Sequence, residues 1–221
     1  MFVLIVLTLS TVVFWALFEQ AAGSMTLYAD RVTDKTLFGV SLTAAQFGAA
    51  NAFFIFLLAP LFALLWTRLN SRGLEPSTPI KFSLGIAQAG LGFGALIYGA
   101  QFPDEAGMVS AWWLVLAYLL HTMGELCLSP VGLSAVTKLA VPSVVGVMMG
   151  TWFLASAYSS YVAAQIAALA AGPGDELSAN VSEALSAYTD LFDQLLNIGL
   201  VGAAVLFVLS PLLKRMMHGI R

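Results

Sequence analysis

The chain has 221 residues, of which 60% are apolar and 10% are charged, and its formal net charge is −3. Charged side chains make up about a quarter of an ordinary soluble domain, so this composition excludes that class and predicts an integral membrane protein. The single cysteine, Cys127, excludes an intrachain disulfide and a cysteine-rich metal site. The sequence has no basic stripe, and nucleic acid is therefore excluded as a partner.

Long apolar segments follow one another along the chain, and each exceeds the roughly 20 residues that a helix needs to cross a bilayer. The predicted spans are 2–28, 42–69, 79–102, 109–139, 144–171 and 188–217. They predict an all-α membrane protein in which residues 1–221 form one bundle of six transmembrane helices.

Basic residues are concentrated in alternate connections between these spans. One group lies between the second and third spans, between the fourth and fifth, and after the sixth: Arg68, Arg72, Lys81, Lys138, Lys214, Arg215 and Arg221. The remaining connections are mainly acidic and include Asp104, Glu105, Asp175 and Glu176. By the positive-inside rule, both chain termini are expected in the cytoplasm.

The first span contains a carboxylate, Glu19, four residues after Trp15. One interpretation is a hydrated carboxylate at the membrane interface beside a tryptophan of the aromatic belt. We expect the helix to continue past Glu19 towards Tyr28, however, and this favours a functional carboxylate at membrane depth.

The fourth span contains a second carboxylate, Glu125, with His121 one turn before it and Ser129 one turn after it. This polar stripe could hold a structural hydrogen bond between His121 and Glu125. A functional interpretation is favoured, because an apolar environment stabilises a protonated carboxyl group and an arriving cation stabilises its ionised form. Proton release can thereby be coupled to the binding of a positively charged group.

Other polar or small residues in the spans allow two interpretations. Asn51 could bond to a neighbouring helix or to a substrate. Trp152, Ser156 and Ser159 share one face of the fifth span, which could be a packed interface or a cavity wall.

The pairs Gly90-x-x-x-Gly94 and Gly146-x-x-x-Gly150 predict close helix packing, and Pro60 and Pro130 predict kinks. No catalytic or phosphate-binding motif is present, because His121-Thr-Met-Gly-Glu125 lacks the second histidine of a zinc protease motif.

Four sequence blocks occur in order along the chain. They are Phe14-Trp15-x-x-Phe18-Glu19-Gln20, Pro76-Ser77-Thr78-Pro79-x-Lys81-Phe82, Gly124-Glu125-Leu126-x-Leu128-Ser129-Pro130-x-Gly132-Leu133 and Met148-Met149-Gly150-x-Trp152-Phe153-Leu154. Together they resemble the proton-coupled oligopeptide transporters of the major facilitator superfamily. The resemblance is to the C-terminal six helices of that family and implies that its N-terminal six-helix half is absent from this chain.

The resemblance implies proton-coupled symport of di- and tripeptides, performed by this chain as the C-terminal half of a transporter and not by the chain alone. Glu19 and Glu125 would take part in proton coupling, and Glu125 would bind the amino terminus of the peptide with help from Asn51. Other pocket residues would be Trp15, Ser129, Trp152 and Phe153. The family usually has proline after this asparagine, whereas Ala52 stands here, which weakens the assignment of Asn51.

The implied partners are the peptide, the lipid bilayer and an N-terminal half whose basic residues face Glu19 and Glu125. The implied location is the inner membrane of a bacterium. Protons are the expected coupling ion, and neither enzymatic activity nor a metal or other cofactor is expected. The alternative is a membrane interaction protein without transport activity, or a truncated fragment.

Overall fold

The computed structural model of the chain describes residues 2–171 and 180–217. Asp175, Glu176 and Arg221, which contribute to the charge pattern above, lie outside the described residues. The described residues form seven α-helices: α1 (Phe2–Phe18), α2 (Ser24–Val32), α3 (Ala49–Ser71), α4 (Thr78–Gly99), α5 (Ala111–Leu139), α6 (Val145–Ala171) and α7 (Val181–Met216).

Short strands occupy the connections at one end of the bundle. They are β1 (Thr33–Asp34), β2 (Thr36–Leu37), β3 (Val40–Ser41) and β4 (Val109–Ser110). β1 pairs with β4 in parallel, so the segment after α2 is joined to the start of α5. β2 and β3 form an antiparallel hairpin between α2 and α3.

Among the described residues, five segments are long and apolar enough to cross a membrane by length and composition. They are Phe2–Val32, Ala44–Ser71, Thr78–Gly99, Ala111–Leu139 and Val181–Met216. The remaining predicted span corresponds to α6, which is long enough at 27 residues but includes serine, tyrosine and glutamine side chains. The structure is therefore an all-α membrane fold in which the six predicted segments are all helical.

The first predicted span is not one continuous helix, contrary to our expectation at Glu19. The α-helix ends at Phe18, and Glu19–Ala21 form a 3₁₀ turn before α2 begins. Gly23 lies at the break because a Cβ atom there would lie 2.8 Å from the Cβ of Ala167 in α6. The close approach of α6 thus accounts for a glycine at this point.

Two helix starts also differ from the predicted spans. α7 begins at Val181, seven residues before the predicted start at 188, and Asn180 caps it by accepting a hydrogen bond from the Ser182 backbone N–H at 3.1 Å. Polar residues in the first turns of α7 lower the hydropathy of this part of the helix. A prediction based on runs of apolar residues therefore places its start too late. Residues 44–48 form a 3₁₀ helix, so α3 begins at Ala49 rather than at the predicted residue 42.

α4 makes its most extensive contacts with α5 and α7, and glycines lie at both of these contacts. A Cβ atom at Gly124 would lie 2.6 Å from the carbonyl oxygen of Gly85, and one at Gly199 would lie 2.7 Å from the Cα of Gly90. Gly90 therefore packs closely, as predicted. Gly146 and Gly150 do not, because a Cβ at either position would have no heavy atom of the described residues within 4 Å.

α3 lies at the edge of this bundle, and none of its residues is buried. Near its C-terminal end, the Lys81 ammonium group lies 4.6 Å from the ring centre of Trp66 and forms an ion pair with Glu75. Both charged side chains are largely buried. The cation–π contact of Lys81 with Trp66, rather than a buried apolar face, therefore connects this end of α3 to α4.

Candidate functional site

A pocket of 420 Å³ opens between the break after α1, the start of α3 and the N-terminal third of α5. Its lining includes Glu19, Asn51, Thr26 and Tyr118, together with small and apolar residues. Glu19 and Ala21 of the 3₁₀ turn, and Ala22 directly after it, are three of the lining positions. Glu19 and Asn51, which are far apart in sequence, therefore share one pocket.

Glu125 is connected to this pocket through Asn51. The Asn51 amide nitrogen lies 3.0 Å from the Glu125 Oε2 atom and 3.1 Å from the Thr122 hydroxyl oxygen. Thr122 donates its own hydroxyl hydrogen to the Tyr118 carbonyl at 2.7 Å, so its oxygen remains free to accept from Asn51. Hydrogen bonds from one asparagine thus attach α3 to two successive turns of α5.

Gln20, the neighbour of Glu19, is fully buried and holds the break in place. Its amide nitrogen donates to the Ala163 carbonyl of α6 at 3.1 Å and to Ala16 at 3.3 Å. Its amide oxygen accepts from the Ser24 hydroxyl at 2.8 Å. Because the side-chain amide is bonded on both sides, Gln20 fixes the orientation of the 3₁₀ turn on which Glu19 lies.

Glu19 also lines a second pocket of 160 Å³ against α6, next to Ser160 and Ala163. Its carboxylate therefore lies between the larger pocket and the surface of α6. The two ion pairs of the described residues are Lys35–Asp30 and Lys81–Glu75, and neither involves Glu19 or Glu125. Within the described part of the chain, both site carboxylates lack a cationic partner.

His121 does not belong to the same polar stripe as Glu125. Its ring is buried between Phe18 and Phe93, with ring centres 6.1 and 5.0 Å away, and its Nε2 atom lies 2.9 Å from the Ala89 carbonyl of α4. It occupies the space beside Gly92, where a side chain could not fit. The suggested hydrogen bond between His121 and Glu125 is therefore wrong, because the two side chains face different helices.

The remaining predicted pocket residues take different positions, and none of them lines the 420 Å³ pocket. Trp15 packs edge-on against Phe14 and Phe18, and Ser129 is half-buried one turn beyond Glu125. Phe153 of α6 is 59% exposed. Trp152 is only 5% exposed, and its ring fills the space at Gly132, next to Phe82.

Comparison with known proteins then assigns the family. A model described as PTR2, POT family, matches residues 1–182 of this chain. The chain belongs to the POT family. The uncharacterized transporter YclF of Bacillus subtilis (strain 168) is 40% identical over 214 residues, which are 97% of this chain and 40% of that protein. The dipeptide and tripeptide permease B of Aeromonas hydrophila is 35% identical over 219 residues, 99% of this chain and 43% of that protein.

Solved structures of the POT family have the same fold. A peptide transporter POT in complex with sulfate superposes with a TM-score of 0.84 at 34% identity, covering 99% of this chain and 41% of that one. A POT family transporter in complex with 5-aminolevulinic acid gives a TM-score of 0.81 at 28% identity, covering 96% of this chain and 41% of that one. This POT-family chain thus spans about two-fifths of the length of its relatives.

Sequence reasoning missed three residues that build the site of this POT-family chain. Gln20 carries the hydrogen bonds of the break, Thr122 accepts from Asn51, and the Tyr118 hydroxyl donates to the Ala21 carbonyl at 3.1 Å. Each is an uncharged polar residue within an apolar segment. That signal was available, but it does not distinguish a residue that supports a site from one that packs elsewhere.

Proposed function

We propose that this chain forms the C-terminal half of a proton-coupled symporter for di- and tripeptides. The observation that carries the proposal is the Asn51–Glu125 hydrogen bond beside a pocket that also contains Glu19, in a chain of the POT family. Relatives named as dipeptide and tripeptide permeases support the same substrate class. The proposed transporter needs protons as its coupling ion and no other cofactor.

In this proposal, Glu125 binds the ammonium group of the peptide. A carboxylate accepts hydrogen bonds through two oxygens, and Asn51 contacts only Oε2. The other oxygen is free of protein donors among the described residues, which leaves it available to an arriving ammonium group. Asn51 would hold the carboxylate in position, and Trp15, Ser129 and Phe153 would contact the peptide from the surrounding helices.

Trp152 would act differently from the other proposed pocket residues. Its ring is wedged against Gly132, two residues after Pro130 in α5. Proline removes a backbone hydrogen bond from a helix, so this part of α5 depends on side-chain packing for its shape. We propose that Trp152 supports the pocket wall here, behind the residues that touch the peptide.

The proposed partner is an N-terminal six-helix half with basic residues opposite Glu19 and Glu125. Two observations support it: neither carboxylate has a cationic partner in the described part of the chain, and α3 buries none of its residues. A carboxylate at membrane depth is costly without a partner. A zwitterionic peptide also needs a cationic group for its carboxylate, which such a half would supply.

The proposed transport cycle is alternating access, in which the two halves rock around a site between them. Proton binding and release at Glu19 and Glu125 would couple this motion to the proton gradient. The proposed location is the bacterial inner membrane with both termini in the cytoplasm, supported by Arg68 and Arg72 at the end of α3 and by Lys138 at the end of α5.

The test is the substitution Glu125→Gln in the full-length transporter. Glutamine keeps the shape of the side chain and an oxygen that can accept from Asn51, but it can neither bind a proton reversibly nor carry a charge. We expect uptake of labelled dipeptide into liposomes under an inward proton gradient to fall to background, while membrane insertion is unchanged.

The matched control is Glu183→Gln, which makes the same chemical change at an exposed position in the first turn of α7. This variant should transport at the rate of the unchanged protein. Uptake at the full rate by the Glu125→Gln variant would remove Glu125 from the mechanism and would contradict the proposal.

A further inference from the structure

The hairpin between α2 and α3 has an unusual residue at its tip. Leu37 of β2 pairs with Val40 of β3, so Phe38 and Gly39 form a two-residue loop. Both loop residues have a positive φ angle, 50° at Phe38 and 77° at Gly39, as in a type I′ turn. The first loop position of such a turn normally holds asparagine, aspartate or glycine. Here it holds phenylalanine.

Neither the backbone conformation nor the local packing explains a phenylalanine at this position. A positive φ angle is unfavourable for a bulky side chain, and Phe38 is the only non-glycine residue with one in the described part of the chain. Its side chain is 89% exposed, so it gains little from burial within this chain. Contacts with the described residues therefore cover little of the ring.

The aromatic neighbours of Phe38 indicate what the ring meets. Its ring centre lies 5.1 Å from that of Trp112, in the first turn of α5. At the same end of the bundle, Tyr98 at the end of α4 packs edge-on against Phe102 and Trp113. Membrane proteins concentrate tryptophan and tyrosine at the level of the lipid headgroups. Phe38 therefore lies at the end of the bundle that carries Trp112, Trp113 and Tyr98.

The hairpin divides into a polar base and an apolar tip. Near the base, Lys35 pairs with Asp30, whose side chain is well exposed, and Asp34 accepts a hydrogen bond from the Thr36 backbone N–H at 3.0 Å. At the tip, Phe38 and Val40 are both exposed. A segment with this division is suited to the membrane interface, where one end is hydrated and the other contacts lipid.

We propose that the β2–β3 hairpin is a membrane-interface anchor that inserts Phe38 and Val40 among the lipid headgroups and upper acyl chains. The anchor would hold the connection between α2 and α3 at a fixed depth. This attachment matters for α3, because none of the residues of that helix is fully buried. The inference does not depend on peptide transport.

The test measures the depth of the hairpin tip with a nitroxide label at Val40, through Val40→Cys in a Cys127→Ala background. The full-length protein is reconstituted in liposomes of phosphatidylethanolamine and phosphatidylglycerol. Collisions of the label with oxygen, which concentrates in lipid, are compared with collisions with a water-soluble nickel chelate. The control label is at Ala106, an exposed residue in the turn between α4 and β4 at the same end of the bundle.

We expect the Val40 label to favour oxygen and the Ala106 label to favour the nickel chelate. Phe38→Asn keeps a residue suited to the turn but removes the ring, and it should shift the Val40 label towards the nickel chelate. Phe38→Trp should retain the lipid signal. A Val40 label as accessible to nickel as the Ala106 label would overturn the proposal. Shielding from both reagents would also overturn it, because a protein partner would then cover the tip.

Discussion

At the scale of single residues, two amide side chains organise the carboxylates of the site. Asn51 connects α3 to Glu125, and Gln20 fixes the turn that carries Glu19. An amide both donates and accepts, so it can join helices at membrane depth without introducing a charge. The positions of the two glutamates therefore depend on neighbours that do not titrate.

Gln20→Leu should destabilise the protein, because leucine has a similar size but cannot replace the hydrogen bonds to Ala163 and Ser24. Unmaking buried hydrogen bonds costs about 1–3 kcal/mol. We expect a lower midpoint of thermal unfolding in detergent, followed by circular dichroism.

Gln88→Leu is the matched control for this prediction. Gln88 is half-buried, and among the described residues its amide nitrogen contacts only the Leu84 carbonyl of its own helix and the Cys127 sulfur atom, the latter at 3.5 Å. This control should change the midpoint much less than Gln20→Leu. Equal midpoints for the two variants would show that the Gln20 contacts do not stabilise the break.

The two carboxylates and His121 illustrate what residue patterns can predict. Glu19 and Glu125 were identified because an ionisable group within an apolar segment is rare and costly. The rarity of a polar residue in an apolar segment does not predict which neighbouring helix the His121 side chain faces. Four residues on a helix turn a side chain by about 40°, which is enough to place His121 against α4 while Glu125 meets α3.

At the scale of helices, close backbone contact between α4 and α5 sets the shape of the bundle core. Gly85 and Gly124 face each other, and either Cβ atom would overlap the backbone of the opposite helix. This contact lies one residue before Glu125 in α5. The separation of the two helices therefore also sets the position of the site.

Gly124→Ala should force α4 and α5 apart, and overpacking of this kind costs about 1–3 kcal/mol. Gly150→Ala makes the same change in a helix where the new methyl group meets open space. It should be neutral or stabilising by up to about 1 kcal/mol, because alanine favours helix more than glycine does. Thermal unfolding of both variants of the purified chain tests the prediction. A Gly124→Ala variant as stable as the Gly150→Ala variant would contradict it.

At the scale of the whole molecule, the chain presents a large apolar surface on α3 and α6. Phe56 of α3 is 84% exposed, and Leu154 of α6 is 69% exposed. Such surfaces face either lipid or another protein in a membrane. Together with a site that contains carboxylates but no described cation, they are consistent with the proposed second half.

The 221-residue chain alone should therefore fail to transport peptides. In the proposed transporter, this chain supplies the anionic group for the peptide ammonium, whereas the cationic group and the second rocking half lie in the partner. The measurement is uptake of labelled dipeptide by the purified chain in liposomes under an inward proton gradient, with a full-length POT transporter as the positive control. Uptake above that of empty liposomes would contradict the division of the site between two halves.

The amino-acid sequence by itself determined the membrane class, the helical segments and the two carboxylates, because each depends on composition along a single segment. It also determined the family, because four motif blocks occur in order. Only the tertiary structure decided the break at Glu19–Ala21, the burial of Trp152 and the shared pocket of Glu19 and Asn51. These features depend on which helix packs against which, and a pattern within one helix does not specify its neighbour.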